Sequence, residues 1–184
     1  ETVIISLSIL FVNNYPIMTN NEKKLCKDIF SNGFHDPKPE VQVLSIVGMM
    51  TYLSIKSIDE LNNLATSYVK NSDILATREK KKRKQNKDTN LISSNEKPDP
   101  IYLTTIKMSS CMILLYPYDL PQYLPILLTS FVRHSSNQFM KDTIMKTVQD
   151  FKRTHQDRWN EFQVYFTREQ LDDLQGAGAA HYFS

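Results

Sequence analysis

The stretch HDPKPEVQVLSIVGMMTYLSIKSIDELNNLATSYV, residues 35–69, decides the fold. It opens on His35-Asp36-Pro37-Lys38-Pro39, a turn composition, and Pro39 suits the first turn of a following helix, where a missing N–H costs nothing. Glu40 to Ser54 then sets Val43, Ile46, Val47 and Met50 at helical spacing. Ser57 to Val69 reads as a partner helix. Its buried face is predicted to hold Ile58, Leu61, Leu64, Ala65 and Tyr68, and Ser57 with Glu60 forms a capping box.

Working outward, the same unit recurs. Upstream, Thr2 to Asn14 alternates at Ile5, Leu7 and Ile9 as a strand does, yet Val3, Leu7, Leu10 and Asn14 also mark a helical face; the helical surroundings favour helix. Asn20 to Phe30 places Leu25, Ile29 and Phe30 on one side, with Thr19/Asn20 as caps and Asn32-Gly33 as the stop. Downstream, Pro100 to Leu115 is a long apolar helix stopped by Pro117, and Asp119 to Val132 starts again with Asp119 as cap and Pro121 in the first turn. A third pair is Gln138 to Lys152, carrying Phe139, Ile144, Met145, Val148 and Phe151, followed by Thr154 to Phe162; Thr167 to Leu174 closes the set. Paired helices repeated in this way predict an all-α, HEAT-like helical-repeat solenoid, over residues 1–76 and 100–175. Residues 77–99, TREKKKRKQNKDTNLISSNEKPD, have too few apolar groups to bury and are predicted to be a disordered basic loop. Residues 176–184 are predicted to be a flexible tail, in which a Gly/Ala lead carries Tyr182, Phe183 and a final carboxylate.

Composition bounds the function classes. With 184 residues, 41% hydrophobic and 23% charged, one globular unit suffices. A formal net charge of +2 is too small to argue for nucleic acid from overall charge. Lys80-Lys81-Lys82-Arg83-Lys84 is a local exception, read as a nuclear-import signal for an import receptor, a phosphate-contacting patch or a solvated charge run. No aromatics interleave with it, so no direct nucleic-acid partner is expected. The chain begins at Glu1 with an uncapped apolar run, as if cut from a larger protein; that run is too short for a bilayer, so neither membrane nor secretion is expected. Cys26 and Cys111 sit far apart in apolar surroundings, which suits reduced thiols in the cytoplasm or nucleus. His35, His134, His155 and His181 show no metal-ligand spacing, and no glycine-rich loop or activated nucleophile is in view. No metal, no cofactor and no catalytic activity are therefore expected.

Three groups of residues carry a likeness to a known family. Pro117-Tyr118-Asp119-Leu120-Pro121, then Phe151-Lys152-Arg153-Thr154-His155 with Asp157, Trp159 and Glu161, and Phe166-Thr167 with Gln170-Leu171 together resemble the C-terminal end of the large HEAT-repeat, ATP-independent proteasome activators of the bleomycin-sensitivity type. The likeness spans about Met108 to Leu171. It implies a dome over the proteasome core particle and a C-terminal tail that enters a pocket between alpha subunits to loosen the gate. By position from the carboxylate, Tyr182 is the hydrophobic member, Phe183 stands where tyrosine is usual, and Ser184 supplies the carboxylate. It further implies work in nucleus and cytoplasm on peptides and unfolded proteins, without ubiquitin. The family's acetyl-lysine site carries an Asn-Phe pair where this chain has Leu53-Ser54, so acetyl-lysine binding is not carried over. The competing reading is a karyopherin-like HEAT adaptor, which has no use for a free carboxylate.

Overall fold

The computed structural model describes residues 2–88 and 99–175. All regular structure among these residues is helical: α1 (Thr2–Asn14), α2 (Asn20–Gly33), α3 (Pro39–Ser54), α4 (Ile58–Asp88), α5 (Pro100–Ile113), α6 (Leu124–Arg133), α7 (Gln138–His155), α8 (Trp159–Phe162) and α9 (Arg168–Leu174), with short 3-10 turns between some of them. The helices fall into two compact units, residues 1–61 and 62–184.

In the first unit α1 and α2 both pack on α3. Thr19 accepts from the Glu22 backbone N–H while Glu22 reaches back to the Thr19 N–H at 2.7 Å, which fixes the start of α2. The core is Phe11, Phe30, Phe34, Met49 and Leu53. Phe11 meets Phe30 edge to face, with ring centroids 6.4 Å apart. The buried faces differ from those read off the sequence. On α1 the inward residues are Ile4 and Phe11, while Val3 and Leu10 are exposed; on α3 they are Ser45, Gly48, Met49 and Leu53, while Val43 and Val47 are exposed; on α2, Cys26 is buried and Leu25 is exposed. Helices α1 and α3 are apolar nearly all round, so periodicity alone cannot pick a face. The small side chains do so instead, because Ser45 and Gly48 let neighbouring helices come close.

In the second unit α5 is the central helix. Every residue from Thr105 to Ile113 is buried, against α6 on one side and α7 on another. A buried pair of hydroxyls ties α5 to α7: Thr147 donates to the Thr143 carbonyl, so Ser110 is the donor in the 2.6 Å contact with Thr147. Helix α9 packs on α6, started by the Thr167/Gln170 capping box.

Three predicted boundaries change. Helix α4 runs to Asp88, so the loop expected over 77–99 is helical for its first half, and Lys80, Lys81, Lys82, Arg83 and Lys84 lie within a helix. Lys and Arg are good helix formers, and the established helix extends through them at little cost. An import receptor that reads extended peptide would meet this run wound up. Helix α6 starts at Leu124 with Pro125 in its first turn, not at Asp119 with Pro121. Helix α7 continues to His155, and the expected helix from Thr154 to Phe162 is instead a 3-10 turn, the single turn α8 and a second 3-10 turn.

Candidate functional site

The residues that carry the family likeness are distant in sequence and are drawn together around one histidine. His155, at the end of α7, is buried, and its Nε2 lies 2.9 Å from the backbone oxygen of Asp119. A carbonyl only accepts, so Nε2 is the donor in this contact, while Nδ1 lies 2.8 Å from both the Phe151 carbonyl oxygen and Thr154 Oγ1. Its ring stacks on Phe151 at 4.1 Å between centroids and 27° between planes, and leans on Phe162 at 5.6 Å. Arg158 adds a second tie, reaching the Tyr118 oxygen at 3.3 Å while holding Glu161 at 2.9 Å. Trp159 and Phe166 extend the aromatic cluster with centroids 5.5 Å apart.

The bends thus fixed include one strained residue. Tyr118 has φ of 72°, the left-handed region that a residue with a Cβ rarely enters. The Tyr118 and Asp119 carbonyls it presents are the two that Arg158 and His155 hold. From sequence, Asp119 was assigned a capping role and His155 none. Only the likeness, which placed both in ordered motifs, hinted that they belong together.

A second cluster surrounds His134, in the 3-10 turn His134–Ser136 between α6 and α7. Tyr102 Oη lies 2.9 Å from its Nδ1, and Asp73 of α4 lies 3.8 Å from Nε2. Nε2 is buried without a hydrogen-bond partner. Burial pushes the pKa of His134 below its ordinary 6.5; Asp73 opposes the shift, and Lys80 and Arg133 add to it. The folded pKa lies below the unfolded one, so this contribution to stability is complete above pH 6.5 and fades as pH falls through the folded value. The thermal midpoint of the chain should therefore drop between pH 7.5 and pH 5.5, and His134→Gln should remove part of that drop. An identical pH dependence in the two proteins would exclude His134 as the source.

The other sequence-assigned residues are placed as follows. Cys111 is fully buried and its thiol is pushed up to about 12 by burial; burial also raises Cys26. Neither is poised as a thiolate at neutral pH. Leu53 is part of the core, and the Ser54 hydroxyl donates to the Thr51 carbonyl at 2.9 Å. Among the described residues no group of three or more His, Cys, Asp or Glu side chains is placed to hold a metal, and no helix is long and apolar enough to cross a membrane. His35 is exposed on the turn before α3. Tyr182, Phe183 and Ser184, with His181, lie outside the described residues.

The family model described as "Proteasome activator complex subunit 4-like, C-terminal" matches residues 103–184. Curated relatives agree with it. Proteasome activator complex subunit 4A of Danio rerio is 42% identical over 65 residues, covering 35% of this chain and 4% of that protein. Proteasome activator complex subunit 4 of Homo sapiens is 40% identical over 60 residues, 32% of this chain and 3% of that protein. Proteasome activator subunit 4 of Arabidopsis thaliana is 40% identical over 63 residues, 34% of this chain and 4% of that protein. The matched stretch thus spans only about one twenty-fifth of the relatives' length. No solved structure matches the chain. Residues 103–184, where the motif residues converge on His155, are thus similar to the C-terminal region of the proteasome activator complex subunit 4 family.

Proposed function

We propose that this chain is the C-terminal part of a proteasome activator, and that its tail docks in a pocket between alpha subunits of the core particle and promotes opening of the gate. The single observation that carries this reading is the family match, which continues through the Gly/Ala lead and the aromatic tip to residue 184. The chain performs no reaction of its own in this scheme. The cluster around His155 stiffens the region ahead of α9, and a partner held against that region would meet the tail at a raised effective concentration.

The chemistry of the tip follows from its residues. The Ser184 carboxylate pairs with a basic side chain in the pocket, and Tyr182 and Phe183 bury their rings, together supplying a few kcal/mol, on the order of one charge-assisted bond plus aromatic burial. Phe183 lacks the hydroxyl that the family's usual tyrosine has, a loss of about 1 kcal/mol if the acceptor in the pocket goes unpaired. The test is peptide hydrolysis by core particles mixed with the protein carrying this chain. Removing Tyr182, Phe183 and Ser184 is expected to abolish stimulation, and Phe183→Tyr to increase it several-fold at limiting activator. Undiminished stimulation after the truncation would show that the tail has no part in activation.

A further inference from the structure

Ser136 ends the 3-10 turn between α6 and α7, with its side chain exposed. It lines a cavity of about 70 Å³ whose charged walls are Lys80 and Glu79 of α4, Arg133 of α6, and His134. Lys80 and Arg133 are the cations of that wall; Glu79 is its carboxylate, and Asp73 stands behind it, 3.8 Å from His134 Nε2. Glu79 is already turned toward the start of α5, where its Oε1 accepts the Asp99 backbone N–H at 3.1 Å. His134 brings a buried Nε2 that has no hydrogen-bond partner. Arg133 uses Nε and Nη2 on Asp173 of α9, at 2.8 and 2.6 Å, with Glu169 Oε1 a further 3.7 Å from Nη2, and Nη1 takes part in neither pair.

The sequence around this hydroxyl has a matching feature. Arg133 stands three residues before Ser136, and no other arginine of the chain has a serine or threonine at that spacing. A cation at that position is what a serine kinase with an acidic subsite selects, as kinase and substrate charge patterns generally do. Ser135, the neighbouring hydroxyl, is half-buried and one residue out of that spacing.

We propose that Ser136 is a phosphorylation site, whose phosphate seats between Lys80 of α4 and Arg133 of α6. In the transfer, Ser136 Oγ attacks the γ-phosphorus of a nucleoside triphosphate and gives its proton to the kinase's base. The Oγ–P bond forms, the bond to the β,γ-bridging oxygen breaks, and the nucleoside diphosphate leaves. The new group carries about −1.5 to −2 charge and three strong acceptor oxygens. Lys80 meets it as a point charge and Arg133 through its planar fork. It also lies just before the N-terminus of α7, an 18-residue helix whose dipole favours negative charge there. Because Asp173 already holds the same guanidinium, the phosphate would couple α4, α6 and α9 through one side chain. The site stands whether or not the tail docks on the proteasome.

The full chain is treated with an arginine-directed serine kinase and magnesium ATP, mapped by mass spectrometry, and titrated by phosphorus NMR. Phosphate is expected on Ser136, lost in Ser136→Ala and kept in Ser135→Ala. The second phosphate pKa is expected at least about half a unit below the ~6 of phosphoserine, because two cations favour the dianion. Lys80→Ala, which leaves the kinase recognition intact, should bring it back toward that of a phosphopeptide covering residues 131–140. No phosphate on Ser136 would overturn the proposal, and so would a phosphate on Ser136 that titrates like the peptide.

Discussion

Phe151→Ala is expected to lower the stability of the second unit by about 3–5 kcal/mol, the range for deleting a fully buried aromatic ring. The ring has no exposed surface, and it is the plate on which His155 stacks at 4.1 Å. Removing it opens a cavity beside the histidine that holds the Asp119 carbonyl, so the loss of packing and the loosening of the 116–121 bends fall on the same place. Trp159 is the single tryptophan of the chain and is buried four residues beyond His155, across a 3-10 turn, so its fluorescence reports unfolding of this region directly. The midpoint in urea should fall with little change in slope, and Phe151→Leu should recover more than half of the loss because it refills most of the volume. A change below about 1 kcal/mol for Phe151→Ala would contradict the central placement of this ring.

Gly48→Ala should destabilise the first unit by about 1–3 kcal/mol, the usual range for overpacking. This is notable because alanine in a helix interior ordinarily gains about 1 kcal/mol over glycine. A Cβ built on Gly48 would lie 2.5 Å from both Cδ1 and Cε1 of Phe30, and that ring is itself fully buried with nowhere to turn. Steric conflict therefore outweighs propensity. Hydrogen exchange across α2 and α3 measures the effect locally, and protection there should fall in Gly48→Ala. The companion variant Phe30→Leu removes the ring edge that the new methyl meets. In that background the cost of Gly48→Ala should shrink markedly, a coupling readable as a double-mutant cycle. If alanine stabilised the unit in the wild-type background, the close approach of α2 and α3 would have to be abandoned.

The gap between sequence and structure follows a physical line. Local signals were legible: the capping box at Ser57/Glu60, Thr19 as the cap of α2, and Pro39 in the first turn of α3. Each of these satisfies orphan backbone groups within three or four residues, so no distant partner is needed. The faces of α1 and α3 were not legible, since both helices are apolar on several sides and only their neighbours decide which side turns in. The helical course of residues 77–88 was missed for a related reason. Charge density argues against burial, but a helix already started needs no burial to continue.

The sequence alone determined that the protein is helical, and its ordered motifs carried the likeness to the proteasome activator complex subunit 4 family, because periodicity, caps and motif order are written within short spans. What tertiary structure alone decided is that His155 and Arg158 grasp the backbone carbonyls of Asp119 and Tyr118, some forty residues away, and that Gly48 exists to admit Phe30. A backbone carbonyl has no letter of its own in a sequence, and the absence of a side chain does not say which neighbour will fill the space.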